Sequence, residues 1–171
     1  KQRFPDRAVD VGVAEANLVG VSAGLSAAGK IPFAATFGCF ASRRVFDQFF
    51  ISANYARLNV KLVGTDPGIS AAFNGGTHMP FEDIGLMRMI PGLTIIEPSD
   101  PVSLKALVKA CAEHQGCTYM RLHRKAVPAL YEEGESFTLG KGKVLGDGSD
   151  VTIIALGAIM VGEAIKAREL L

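Results

Sequence analysis

The chain has 171 residues, 49% of them hydrophobic and 20% charged, with a formal net charge of +1. That composition fits one globular domain, or one domain with part of a second, large enough to bury a core. Near-neutral charge with scattered Lys and Arg argues against a nucleic-acid surface, and every apolar run is interrupted before the roughly 18 residues of a membrane span. The chain begins at Lys1 without Met and with no basic, apolar and cleavage-site pattern, so it is expected to be a processed or excised piece of something longer. Cys39, Cys111 and Cys117 are odd in number and lack CxxC spacing. This predicts unpaired thiols in a reducing compartment, hence a cytoplasmic location.

Apolar runs of strand length alternate with longer helical patterns. Arg7 to Val13 reads as a short strand, and Ala14 to Ala28 as a helix ended by Gly29. A second strand covers Ile31 to Phe37, followed by a helix from about Ser42 to Leu58. Val60 to Thr65 is a third strand and Leu93 to Glu97 a fourth. Asp100 and Pro101 form a capping residue before a first-turn proline, and start a helix that leads to a strand at Thr118 to Leu122. Continuous apolar strands separated by helices predict an α/β fold, a mostly parallel sheet covered on both faces. The tail differs: a Gly-rich, turn-forming stretch precedes a new strand, "VTIIALG", and a last helix. There is no internal repeat and no low-complexity segment.

Between Val11 and Gly29 the one charged residue is Glu15. At a helix start, such a carboxylate commonly complements the helix dipole in solvent. This helix, however, is apolar nearly all round, which signals burial. A buried carboxylate needs a partner, and burial raises its pKa toward the range of a proton donor or acceptor. That partner is either a protein group or a ring nitrogen of a bound cofactor.

In "TFGCFASRRVFDQFF", Phe37 and Phe40 flank a turn after a strand's carboxyl end, where parallel sheets bind ligands. They could wall a flat heterocycle, whereas Phe46, Phe49 and Phe50 read as core. His78 ends a long Gly- and Pro-containing loop, a place that favours function, although a lone loop histidine is more often a surface residue. Arg121 and Arg124 follow a buried strand. Arg124 would emerge near its end, where a guanidinium holds a phosphate or carboxylate, or else forms a surface ion pair.

Three segments in this order are similar to the central, pyrimidine-binding section of transketolase. They are "PDRAVDVGVAEANLVGVSAGLSAAGKIPFAATFGCFASRRVFDQ", "GISAAFNGGTHMPFEDIGLMRMIPGLTIIEPSD" and "YMRLHRK". The resemblance runs over roughly Pro5 to Val127 and continues into the start of the family's third domain. It implies a pyrimidine-type thiamine-diphosphate-binding fold in which Glu15 hydrogen-bonds N1′ of the cofactor's aminopyrimidine. Glu15 would then stabilise the imino tautomer whose 4′ nitrogen removes the thiazolium proton. By the same resemblance Phe37 and Phe40 surround the pyrimidine and Arg43 sits where relatives carry Tyr or Arg. His78 lies near the 4′ nitrogen and the substrate, and Arg124 grips a sugar phosphate. The chain departs from the family at Asn74, where an acidic residue is common, and at Asp66, where several transketolases have a substrate-contacting His.

The resemblance further implies ketol transfer between sugar phosphates. The expected boundaries are a pyrimidine-binding domain over 1–148, lacking its first strand, and the start of a C-terminal domain over 149–171. "GDGSD" at 146–150 imitates the family's metal and diphosphate motif, but no Asn follows it, so it reads as a turn. Mg2+ or Ca2+ is therefore expected in a partner diphosphate-binding domain, with no metal site in this chain. A homodimer, or a heterotetramer of split halves, is implied, with the fragment alone inactive and neither nucleic acid nor membrane as partner. Deoxyxylulose-phosphate synthase, the beta subunit of a 2-oxo acid dehydrogenase, and a non-catalytic assembly module of the same fold remain as alternatives.

Overall fold

Four short strands rich in β-branched, aromatic and small apolar residues build the centre of the molecule. They are Phe33–Phe37 (β1), Lys61–Thr65 (β2), Thr94–Ile96 (β3) and Thr118–Leu122 (β4). All pair in parallel, in the order β1-β2-β4-β3. The register aligns Ala35, Val63, Met120 and Ile96 across the sheet, and brings Phe37, Thr65 and Leu122 to a common carboxyl edge. The computed structural model describes residues 3–171.

Alternate strand residues feed two separate cores, as the period of two requires. On one face Ala34, Leu62 and Tyr119 pack with Val19, Val45, Phe49 and Met87. These come from the helix Glu15–Ala27 (α1), the helical stretch around Phe46–Gln48 (α2) and the helix Asp83–Met87 (α3). On the other face Val63, Ile96 and Met120 pack with Cys111, Leu104 and Leu107 of the helix Pro101–Glu113 (α4). A parallel sheet with helices on both faces is thus the observed fold.

Local chemistry explains the best-defined boundaries. Gly29, at φ 79°, follows α1 in the left-handed region where glycine is favoured. Asp100 accepts from the Ser103 amide at 2.7 Å, while Ser103 Oγ accepts from the Asp100 amide at 3.0 Å, a reciprocal capping box. The second Asp100 oxygen takes the amides of Leu130 and Tyr131 at 2.9 and 3.1 Å, tying the later chain to α4. Burial alone would raise the Asp100 pKa, but these hydrogen bonds outweigh it and hold the carboxyl below its usual value.

Three expectations are corrected. Arg7 to Val13 is no strand: Pro5–Arg7 forms a short 3-10 turn, and Gly12 turns at φ 73° with its amide on Asp10 Oδ1. This segment has no ladder partner among the described residues, and Val13 is fully exposed. Val151 to Leu156 likewise forms no ladder among the described residues and is largely exposed, before the helix Gly157–Leu170 (α5). Finally, the helical region after β1 is wide-turned: π-type segments at Phe40–Arg44 and Phe49–Tyr55 flank α2.

Candidate active site

The carboxyl ends of β1, β2 and β4 gather most of the residues singled out in the sequence. Phe37 closes β1, and Phe40 stands at the start of the π-type turn. His78 arrives from the loop after β2, and the three rings meet edge-on. Phe37 and Phe40 are 6.1 Å apart, and the imidazole lies 5.2 Å from each. Gly38 permits this approach, because a Cβ there would fall 2.9 Å from the ring of Pro80, two residues after His78. A cavity of about 340 Å³ opens beside the cluster, lined by Cys39, Phe40, Arg43, Arg44 and Thr77. Burial pushes the Cys39 thiol up, which keeps it an inert wall.

Glu15 opens α1 and is buried. Its Oε2 accepts from Arg44 Nη1 at 2.8 Å, and the Arg44 guanidinium also lies 4.3 Å from the Phe40 centroid. Arg44 therefore links the carboxylate to the aromatic cluster. The hydrogen bond from Arg44 is the main reason that the Glu15 carboxyl titrates below its ordinary value, and it outweighs burial. This corrects the expectation of a raised pKa, which took account of burial and not of the arginine. The helix is also buried on one face only: Glu15, Val19, Ser22 and Ala23 face inward while Ala16, Asn17 and Gly20 are exposed.

Arg43 points elsewhere than its neighbour. Its Nε pairs with Glu82 Oε1 at 2.8 Å, and it donates to the Thr77 carbonyl at 3.4 Å, bracing the His78 loop. Asn74 is exposed in that loop, away from any named partner. At the ends of β2 and β4, Asp66 and Arg124 form a two-point pair, Nε to Oδ1 at 2.9 Å and Nη2 to Oδ2 at 3.1 Å. The Arg124 guanidinium also lies over Phe37 and Phe73, at 5.3 and 5.4 Å. A continuous contact path thus runs from Glu15 through Arg44, Phe40, His78 and Phe37 to Arg124 and Asp66.

The model of the transketolase pyrimidine-binding domain matches residues 1–129. The chain belongs to that family. It is 55% identical over 98% of its length, and 52% of the relative's, to the 6-deoxy-6-sulfo-D-fructose transketolase subunit SqwH of Clostridium sp. (strain MSTE9). It is 38% identical over 91% of its length, and 50% of the relative's, to an apulose-4-phosphate transketolase subunit of Phocaeicola vulgatus. A solved structure described as a split gene transketolase, inactive beta4 tetramer, superposes with a TM-score of 0.89. That match is at 41% identity, over 99% of this chain and 54% of that one. The chain therefore spans about half the length of these relatives. No helix among the described residues is long and apolar enough to cross a membrane.

Several features of this edge carry no clear mark in the sequence. Arg44, which no sequence pattern singled out, holds Glu15 from 29 positions away. Arg121 does not follow the strand but lies within β4, where Asp83 accepts from its Nε at 2.7 Å and Glu97 accepts from its Nη1. Tyr119 donates to the same Asp83 at 2.9 Å, and both Asp83 and Glu97 are buried. His123 contacts Glu97 at 3.3 Å and Ser70 at 3.2 Å, so this polar floor reaches the loop that carries His78. Burial and the Asp83 carboxylate push the Tyr119 phenol far above its ordinary pKa, leaving it a fixed donor.

Proposed function

We propose that this chain supplies the pyrimidine side of a thiamine-diphosphate site in a transketolase of split type, which moves a two-carbon ketol unit between sugars with an anionic end. The observation that carries the reading is the contact path from a buried helix-start carboxylate to an aromatic trio and then to an arginine, all at the sheet's carboxyl edge. An aminopyrimidine needs apolar faces and a carboxyl at one ring nitrogen. Phe40 lines an open cavity, Phe37 packs edge-on against it, and Glu15 is joined to the same cavity wall through Arg44, which suits those needs.

When bound, thiamine diphosphate supplies the carbon centre that carries the ketol unit. Glu15 would hold or share a proton at a ring nitrogen of the bound aminopyrimidine; in this structure its carboxylate accepts from Arg44. Phe37 and Phe40 wall the ring and exclude water. His78, held between them, positions a proton donor or acceptor near the substrate, and Arg43 steadies its loop through Thr77. Arg124 receives the anionic end of the sugar and Asp66 orients it.

The diphosphate and its Mg2+ or Ca2+ are assigned to a separate partner subunit. Residues 149–171 are assigned to the opening of a following domain, whose sheet would take up the unpaired run at Val151 to Leu156. A homodimer or a heterotetramer of split halves, working in the cytoplasm, completes the reading; the solved relative is described as a split gene transketolase in an inactive beta4 tetramer, an assembly of one subunit type.

A second reading concerns the sugar. One relative is a 6-deoxy-6-sulfo-D-fructose transketolase subunit, another an apulose-4-phosphate one, and by analogy we take the anionic end here to be a sulfonate or a phosphate. The test of ketol transfer itself is to combine the full-length subunit with its diphosphate-binding partner, thiamine diphosphate and Mg2+, and to assay transfer from ketose donors to aldoses. Assembly without turnover on any donor would favour the non-catalytic module.

A further inference from the structure

We propose that Asp66 sets the charge that Arg124 accepts, so that this site favours a substrate end carrying one negative charge over a phosphate dianion. The proposal rests on the reading of Arg124 as the residue that receives the anionic end of the sugar.

Asp66 is held firmly. It follows β2 directly, in the left-handed region at φ 57°, and its amide donates to the Leu122 carbonyl at the end of β4 at 2.9 Å. That bond places its carboxylate beside the exit of the chain toward Arg124. The Asp66 side chain is 1% exposed and that of Arg124 49% exposed, so the carboxylate lies behind the guanidinium and the guanidinium faces solvent. One oxygen, Oδ1, is 2.9 Å from Nε but makes no directed hydrogen bond, so the contact at that oxygen is chiefly one of charge. Arg124 thus keeps N–H groups for a ligand while its charge is already matched.

The other basic groups described beside the aromatic trio already have partners. Arg43 is matched by Glu82 and Arg44 by Glu15, each at 2.8 Å. His123 turns inward to Glu97 and Ser70. Three guanidinium groups around the aromatic trio therefore meet three carboxylates.

The attraction of an anion to such a matched pair grows in proportion to the anion's charge, whereas the cost of stripping its water grows roughly with the square of that charge. A monoanion such as a sulfonate, or a phosphate ester protonated once, can profit from the free N–H groups. A phosphate dianion loses more water for little further attraction, and its second charge faces the Asp66 carboxylate.

The test uses the assembled enzyme and two ketose donors of the same skeleton, one ending in a sulfonate and one in a phosphate, with hydroxypyruvate as a donor without an anionic tail. The readout is the ratio of kcat/KM for phosphate over sulfonate, which cancels the ionisations of the protein itself. In the wild type this ratio should fall by about tenfold as pH rises through about 6, where the phosphate ester takes its second charge. Asp66→Asn, whose amide suits the left-handed backbone, should raise the ratio at pH near 7.5 by roughly tenfold or more. A wild-type ratio that stays flat across this range overturns the proposal, and so does a variant ratio equal to that of the wild type. The wild-type profile decides the matter even where the variant fails to fold. Absence of transfer from all three donors overturns the ketol-transfer reading itself, whereas transfer with a flat ratio overturns only the role of Asp66.

Discussion

Replacing Arg44 by Met isolates the contact at the centre of the site. The substitution keeps an unbranched apolar stem and removes the guanidinium that hydrogen-bonds Glu15 at 2.8 Å and lies 4.3 Å from the Phe40 centroid. A hydrogen bond between charged groups contributes about 1.5–3 kcal/mol, and a partly exposed cation–π contact about 0.5–1 kcal/mol. Because the Arg44 side chain is 50% exposed, water screens the pair, and we take a net loss of about 2 kcal/mol near pH 7. For a protein of this size that corresponds to a fall in Tm of about 4–8 °C.

The pH dependence gives the sharper test. Arg44 holds the Glu15 carboxyl below the ordinary value of 4.5. A group whose pKa is depressed on folding contributes stability that is complete above its unfolded-state value and lost as pH falls through its folded-state value. The gap between wild type and Arg44→Met should therefore be full near pH 7 and shrink below about pH 4. In the variant, Glu15 should also titrate higher, since burial then acts without the arginine. Urea unfolding at both pH values and carboxyl-carbon NMR of Glu15 measure the two effects. A gap under about 0.5 kcal/mol near pH 7, or one equal in acid, would refute the coupling of Arg44 to Glu15.

Three further outcomes are expected. Glu15→Gln should leave the fold intact and abolish proton exchange at the cofactor's thiazolium carbon in the assembled enzyme; exchange at the wild-type rate removes Glu15 from that role. Without its partner, the chain should bind thiamine diphosphate weakly or not at all, because the diphosphate and metal contacts are assigned elsewhere. Micromolar binding by calorimetry contradicts the divided site. Gly64→Ala should destabilise the fold by about 1–3 kcal/mol in denaturant unfolding, since its Cβ would run into the Tyr119 hydroxyl and stand 2.9 Å from Cζ and 3.0 Å from Gly38 Cα.

The strands and helices that the sequence disclosed are those with local causes. "KLVGT" and "TYMRL" are continuous strand-formers, and Asp100-Pro101 announces a helix start that the structure supplies with a full capping box. The misread segments, Arg7 to Val13 and Val151 to Leu156, have strand-like composition too. What they lack is a neighbour to pair with among the described residues, and no local pattern records whether a neighbour is present. The wide π-type turns at Phe40–Arg44 and Phe49–Tyr55 have no signature in side-chain periodicity over so few residues.

Residue type and place brought Glu15, Phe37, Phe40, His78 and Arg124 forward, but their partners are held at long range. Arg44 meets Glu15 across 29 positions, Arg124 meets Asp66 across 58, and Arg121 meets Asp83 across 38. These pairings decide the chemistry, since they turn the Glu15 pKa downward where burial alone would raise it, and cancel the charge of Arg124 where a bare arginine would attract a dianion. A parallel sheet causes the separation. Its strands converge at one edge only after crossovers through helices, so residues that share a site are far apart in sequence. The sequence thus names residue types that gather at this edge, while the topology decides which opposite charges meet there.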